Sequence, residues 1–201
     1  GEYPVRLTDR FAYWAERVPQ QTFMARRELL PDGQRGDWQH LSYAQAWQAA
    51  RAIAQALIER GLGLEKPVAI VCENSLEHAQ MALGCMMAGV PFVPVSPPYA
   101  LVSQDYAKLK HVLQTVTPGL VFVPDARYKA AVLAAVPESM EVVLGQGHWS
   151  ERQTTSFATL CDTVATTAVD QAMAATHGDT VAKFLFTSGS TKFCSTWHII
   201  Q

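Results

Sequence analysis

The chain has 201 residues, 49% of them hydrophobic and 17% charged, with a formal net charge of −2. That balance supports a buried core and argues against disorder. The scattered acids and bases offer no basic stripe for nucleic acid and no polybasic membrane anchor, and no apolar run approaches the ~20 residues that span a bilayer.

Helices and strands alternate along the chain. Thr8 is placed to cap a first helix with Phe11, Trp14, Ala15 and Val18 on one face and Pro19 just past its end. Thr22 to Leu29 and Asp37 to Leu41 flank the turn signal Pro31-Asp32-Gly33 and predict a small N-terminal hairpin. Ser42-Tyr43-Ala44-Gln45 is a capping box. It opens a helix that buries Ala46, Ala50, Ile53, Leu57 and Ile58 and stops at Gly61. Val68 to Cys72 is a continuous apolar strand of the kind buried on both faces of a parallel sheet.

Asn74 or Ser75 caps the next helix, through Leu76, Ala79, Leu83 and Met86, which ends at Gly89. Pro91 to Val95 reads as a strand, and its two prolines favour an edge or strand-end position. Ser103 opens a helix carrying Leu109, Val112, Leu113 and Val116. Leu120 to Val123 is a strand, Asp125 to Val136 a helix, and Val142 to Leu144 a short strand. Gly145 to Asp162 is polar and irregular, and Thr163 to Ala175 is either a weak helix or an exposed connection. Val181 to Phe186 is a strand running directly into Thr187-Ser188-Gly189-Ser190-Thr191. The alternation predicts an α/β fold, a mainly parallel sheet flanked by helices.

Cys72, Cys85, Cys161 and Cys194 form no C-x-x-C pair and meet no histidine at zinc-ligand spacing, so neither a metal site nor a disulfide framework is expected. The N-terminal residues lack the apolar stretch of a secretory signal, and a reducing, cytoplasmic setting fits. His78 and His111 fall on helices and read as surface or partly buried polar residues, not catalytic bases. Gly61-Leu62-Gly63-Leu64 follows a helix and lacks a third glycine, which excludes a dinucleotide loop.

The loop Thr187-Ser188-Gly189-Ser190-Thr191 places four hydroxyls around one glycine after a buried strand. Such a loop can turn backbone N–H groups and hydroxyls toward one point, as polyphosphate binding requires. Composition alone favours a surface turn, and the G-x-x-x-x-G-K-[ST] pattern is absent.

The run Ala182 to Thr191 resembles the opening of the T-S-G-S-T-G-x-P-K-G signature of the AMP-forming adenylating enzymes. That family includes acyl- and aryl-CoA synthetases, luciferases and peptide-synthetase adenylation domains. Leu41-Ser42-Tyr43-Ala44-Gln45-Ala46 resembles the family's early L-[ST]-Y-x-[EQ]-[LA] segment, and Met87 to Pro97 its A-G-x-x-x-[VA]-P-[VIL]-[DNS]-P segment. Both earlier segments are explained structurally, Gly89 as a helix cap and the prolines as stiffening a strand exit. The run from Asp179 to Thr191 and the turn Ser96-Pro97-Pro98-Tyr99 look closest to feruloyl-CoA synthetases.

The resemblance implies an ATP-dependent ligase that activates a carboxylic acid as acyl-AMP and transfers it to coenzyme A. Thr187, Ser188, Gly189, Ser190 and Thr191 would hold the β- and γ-phosphates, with Mg²⁺ accompanying ATP. No catalytic residue and no protein metal ligand is assigned. Residues 1–191 correspond to the family's N-terminal subdomain. Lys192 to Gln201 departs from the pattern, as a frameshift or a natural short variant would make it. Such a fragment is expected to be inactive alone, with a homodimer through uncovered apolar surface and no nucleic-acid or membrane partner. The alternative is an interaction module that has kept the fold and lost catalysis.

Overall fold

The computed structural model describes residues 4–30, 33–186 and 196–200. In chain order, α1 (Leu7–Arg17) precedes the antiparallel hairpin β1 (Thr22–Leu29) and β2 (Arg35–Ser42). Then come α2 (Tyr43–Glu59), β3 (Val68–Val71), α3 (Leu76–Ala88), β4 (Phe92–Val95), α4 (Pro98–Leu101) and α5 (Ala107–Val116). They are followed by β5 (Leu120–Val123), a 3₁₀ turn (Ala126–Tyr128), α6 (Lys129–Ala135), β6 (Glu141–Leu144), β7 (Thr155–Ser156), α7 (Phe157–Cys161) and α8 (Thr167–Ala175). The last two strands are β8 (Val181–Phe186) and β9 (Thr196–Ile200).

The main sheet has the order β7-β6-β5-β3-β4-β8-β9. Its neighbours are parallel except for the antiparallel pair β8 and β9. Successive side chains of a strand point to opposite faces, and β3 shows this with every residue buried. Val68 and Ile70 pack with Ile53 and Leu57 of α2, Met81 and Cys85 of α3, and Phe157 and Leu160 of α7. Ala69 and Val71 pack on the other face with Leu109, Val112 and Leu113 of α5, Tyr128, and Ala131 and Val132 of α6. A further cluster of Phe11, Ala46, Ala50, Ala54, Met87 and Val169 seats α1 and α8 on the outside of α2 and α3. The expected parallel sheet between helical layers, with its hairpin, is what forms.

Local chemistry sets the element ends. The Ser42 hydroxyl accepts from the Gln45 N–H (3.2 Å) while the Gln45 side chain accepts from the Ser42 N–H (2.9 Å), closing the box ahead of α2. Ser75, not Asn74, caps α3, and Gly89 terminates it at φ 67°, a left-handed conformation that glycine adopts without steric cost.

Several expectations shift. Arg6, not Thr8, stands at the head of α1, because Asp9 accepts from both the Arg6 backbone N–H (3.1 Å) and its Nε (2.9 Å). Thr8 is carried into the first turn, where its buried hydroxyl finds no partner among the described residues. The helix expected to open at Ser103 starts later, as α5 at Ala107, after the Ser103 hydroxyl accepts from the Tyr106 N–H (3.0 Å), and the short α4, which was not expected, precedes it. The segment from Gly145 to Asp162 contains β7 and α7. It is drawn inward by buried Trp149 and by Arg152, whose guanidinium donates to the carbonyls of Val136 (2.8 Å), Pro137 (2.6 Å) and Met140 (2.5 Å). No hydrophobic periodicity announces that kind of anchor.

Of the edge or strand-end positions its prolines suggested, β4 takes the second: it lies inside the sheet, with Pro91 just before its first residue and Pro94 next to its last. The Pro91 carbonyl accepts from Val68 N–H across to β3. Backbone groups alternate sides along a strand, so the missing N–H of Pro94 faces β8. There the described pairing is the single pair Phe92 with Lys183, whereas β4 pairs with β3 along its whole length. The described pairing with β8 thus ends where Pro94 supplies no donor.

α2 and α3 approach closely at Gly84. A Cβ built there would lie 2.5 Å from Ile53 Cγ2 and 3.2 Å from the Ala50 carbonyl oxygen. Gly84→Ala is expected to destabilise the fold by about 1–3 kcal/mol despite alanine's better helix propensity, read as a lower urea midpoint. A second restraint joins α2 to β6: Arg60 donates to Glu141 through Nε (2.9 Å) and a terminal nitrogen (3.1 Å). Burial opposes ionisation of Glu141, but the Arg60 and Thr155 hydrogen bonds outweigh it and hold the pKa below 4.5. A depressed folded pKa contributes stability above the unfolded value, lost as pH falls through the folded one. Arg60→Met should therefore cost about 1 kcal/mol at pH 7. The gap from the parent should narrow in denaturation curves taken progressively below pH 4.5.

Candidate functional site

In parallel α/β sheets, a crevice opens at the carboxyl ends of adjacent strands whose connections leave toward opposite faces. β3 leaves toward the α2–α3 layer, whereas β4 and β5 both leave toward the layer of α5 and α6. The end of β3 therefore has a crevice on each side, and Cys72 and Asn74 line both.

The crevice between β3 and β4 has a volume of about 250 Å³ and is lined by Cys72, Asn74, His78, Ser96, Tyr99 and Phe186, with aliphatic walls from Pro94, Val95, Pro97 and Val112. His78 Nδ1 lies 3.4 Å from Cys72 Sγ. Burial lowers the imidazole pKa. Burial, then the charges of Glu73 and Glu77, pushes the thiol up to about 12. Both shifts favour neutral forms, so the contact joins a thiol to a neutral imidazole and is not the thiolate–imidazolium pair of a cysteine nucleophile. The lining is uncharged.

The crevice between β3 and β5 is charged and larger, about 540 Å³. Glu73 accepts from the Tyr128 hydroxyl at 2.7 Å and from Arg127 at 3.3 Å, and Arg127 also chelates Asp125 (2.8 Å). Burial works against the Asp125 carboxylate, but the side-chain and backbone hydrogen bonds from Arg127 prevail and lower its pKa. The Asp125 hydrogen bond raises the Arg127 pKa in return. Arg26, from the hairpin, makes a two-pronged pair with Glu77 at 2.9 Å on each oxygen. Arg26 and Arg127 are committed to carboxylates, and Arg27, which also lines the crevice, donates to the carbonyls of Gly36 (2.9 Å) and Arg35 (3.3 Å), so this crevice is a tied network and not a bare anion site.

Thr187, Ser188, Gly189, Ser190 and Thr191 lie outside the described residues. Phe186, the residue before them, lines the uncharged crevice, and His111 packs edge-on against its ring at 6.4 Å between centroids. Ser96 and Pro97, read from the sequence as fold markers, also line that crevice. Sequence reasoning does not single out His78 or Glu73 as site residues. Their one signal is position, soon after a doubly buried strand. Asp125, Arg127 and Tyr128 join them only through the β3–β5 pairing, which sequence spacing does not reveal. Among the described residues, no group of three or more His, Cys, Asp or Glu side chains comes together as a metal site, and no helix is long and apolar enough to cross a membrane.

The solved benzoate CoA ligase of Burkholderia xenovorans LB400 has the same fold, with a TM-score of 0.71 at 18% identity over 97% of this chain and 34% of that one. Mouse long-chain-fatty-acid–CoA ligase ACSBG2 is 25% identical over 94% of this chain and 28% of its own length. A linear gramicidin synthase of Brevibacillus parabrevis is 27% identical over 91% of this chain, which spans 3% of that protein. The chain thus spans about a third or less of each of these proteins. The AMP-binding enzyme family matches residues 11–191, nearly the whole of the sequence from α1 to the hydroxyl-rich loop, and the chain belongs to that family of adenylate-forming, ligase-type enzymes.

Proposed function

We propose that the chain is the N-terminal, phosphate-loop part of an ATP-dependent acid–CoA ligase, which joins a carboxylate to AMP with release of pyrophosphate and passes the acyl group to coenzyme A. The observation that carries this reading is the course of β8, which runs parallel to β4 up to the carboxyl edge of the sheet and ends at Phe186, the residue before Thr187 in sequence, in the wall of the uncharged crevice. The donor set fits the nucleotide: Thr187, Ser188, Ser190 and Thr191 donate hydroxyl hydrogen bonds to phosphate oxygens, and Gly189 lets the backbone come close. ATP with its Mg²⁺ supplies the activated phosphate. The residues of this chain bind and orient it. Residues 1–191 form the subdomain that does so, and 192–201 stand outside the family pattern.

The acid is proposed to be aromatic and feruloyl-like, on the likeness of Ser96-Pro97-Pro98-Tyr99 and of Asp179 to Thr191 to feruloyl-CoA synthetases. The setting is cytoplasmic, supported by Cys72, Cys85 and Cys161 as free thiols. A second reading, activation of an amino acid, draws on the 27% identity to the gramicidin synthase.

Acid-dependent pyrophosphate release, measured on a protein of the ligases' length carrying this chain, separates the two. Ferulate should support turnover and yield a CoA thioester, and amino acids should not. Turnover with amino acids and no CoA thioester would establish the second reading. In the same protein, Ser190→Ala should lower adenylate formation about 10²-fold. The 201-residue chain alone should release no pyrophosphate with ferulate.

A further inference from the structure

Helix α1 has two unlike faces. Phe11 packs into the protein against Phe23 (4.9 Å between ring centroids) and Trp47 (5.5 Å). At 3.6 residues per turn, Leu7, Arg10, Tyr13, Trp14 and Arg17 fall together within an arc of about 120° on the outer side. Leu7 is 62% exposed, Tyr13 38% and Trp14 39%, and Val5, just before the helix, is 66% exposed. The guanidinium groups of Arg10 and Arg17 lie 5.8 and 4.3 Å from the centre of the Tyr13 ring. Among the described residues no carboxylate pairs with either. The helix acids, Asp9 and Glu16, fall on the flank, and Asp9 is held by Arg6.

We propose that this face seats the protein on an anionic phospholipid surface, with Trp14, Tyr13 and Leu7 among the headgroups and Arg10 and Arg17 against the lipid phosphates. Tryptophan and tyrosine favour that boundary because one end of each is apolar and the other polar. Guanidinium groups match phosphate oxygens in geometry and charge. The chain carries a net charge of −2, so attraction to an anionic surface must come from a local concentration of cations, and this face is one. A nucleic acid is the poorer match, because exposed Val5 and Leu7 have no counterpart along a phosphate track. The sequence shows only scattered bases, since the arginines are separated along the chain and only helical winding gathers them.

Co-sedimentation of the chain with phosphatidylglycerol vesicles and with phosphatidylcholine vesicles tests this. Partition to the anionic vesicles should be at least about tenfold stronger and should weaken at high salt. It should be lost in the Arg10→Glu/Arg17→Glu variant, fall severalfold in Arg10→Gln/Arg17→Gln and in Trp14→Ala, and be unchanged in Arg27→Glu on the hairpin. The glutamine pair decides if charge reversal disturbs the circular dichroism spectrum. Equal partition to both vesicles, partition to neither, or binding indifferent to the α1 variants overturns the proposal. Stronger retention by a duplex oligonucleotide than by phosphatidylglycerol would assign the face to nucleic acid instead.

Discussion

The burial of β3 on both faces is the constraint on which the rest of this structure depends. Val68, Ala69, Ile70 and Val71 are at most 2% exposed, so each must find apolar partners from a helical layer on its own side. That requirement recruits α2, α3 and α7 to one face and α5 and α6 to the other. Burying such side chains stabilises by about 1.5–3 kcal/mol each for the larger ones. A strand this short has no slack in register: a slip of one residue would exchange the two faces. The central strand also leaves the sheet toward the face its neighbours avoid, which opens the crevices at its carboxyl end.

The two crevices differ in electrostatic character although they share Cys72 and Asn74. On the β4 side Cys72 and His78 are both pushed toward neutrality, and the walls are thiol, imidazole, amide, hydroxyl and hydrocarbon. On the β5 side Glu73, Asp125, Arg127 and Tyr128 hold one another. Glu73 stands between the two and belongs to the charged side. Its negative charge nevertheless reaches Cys72, where it helps keep the thiol protonated.

Much of the fold was legible because the signals were local. The Ser42–Gln45 box, the Gly89 cap and the unbroken apolar run of β3 each depend on residues a few positions apart, and each formed as expected. Long-range contacts were not legible. Arg152 reaches back to Val136 and pulls into place a stretch that reads as loop. The first helix start was misplaced by a competition between Thr8 and Asp9 that only geometry decides. Of the two positions expected for β4, edge or strand end, the edge did not form, for a directional reason: proline forbids pairing on one side of a strand only, and composition does not say which. Of the candidate site, the sequence supplied Thr187 to Thr191, which fall outside the described residues. The described crevice walls come from β3, β4, α3, α4, α5 and β8 and meet only after folding.

The one-sided pairing of β4 bears on how the sheet carries load. Between β3 and β4 the ladder is continuous, whereas between β4 and β8 a single pair, Phe92 with Lys183, is described and Pro94 adds no donor. A pull on the chain leaving Phe186 would be opposed at that seam chiefly by side-chain packing, through Phe184 buried on one face and Ala182 on the same strand. The weakly paired seam of the sheet thus lies along β8, the strand whose last residue, Phe186, completes the wall of the uncharged crevice.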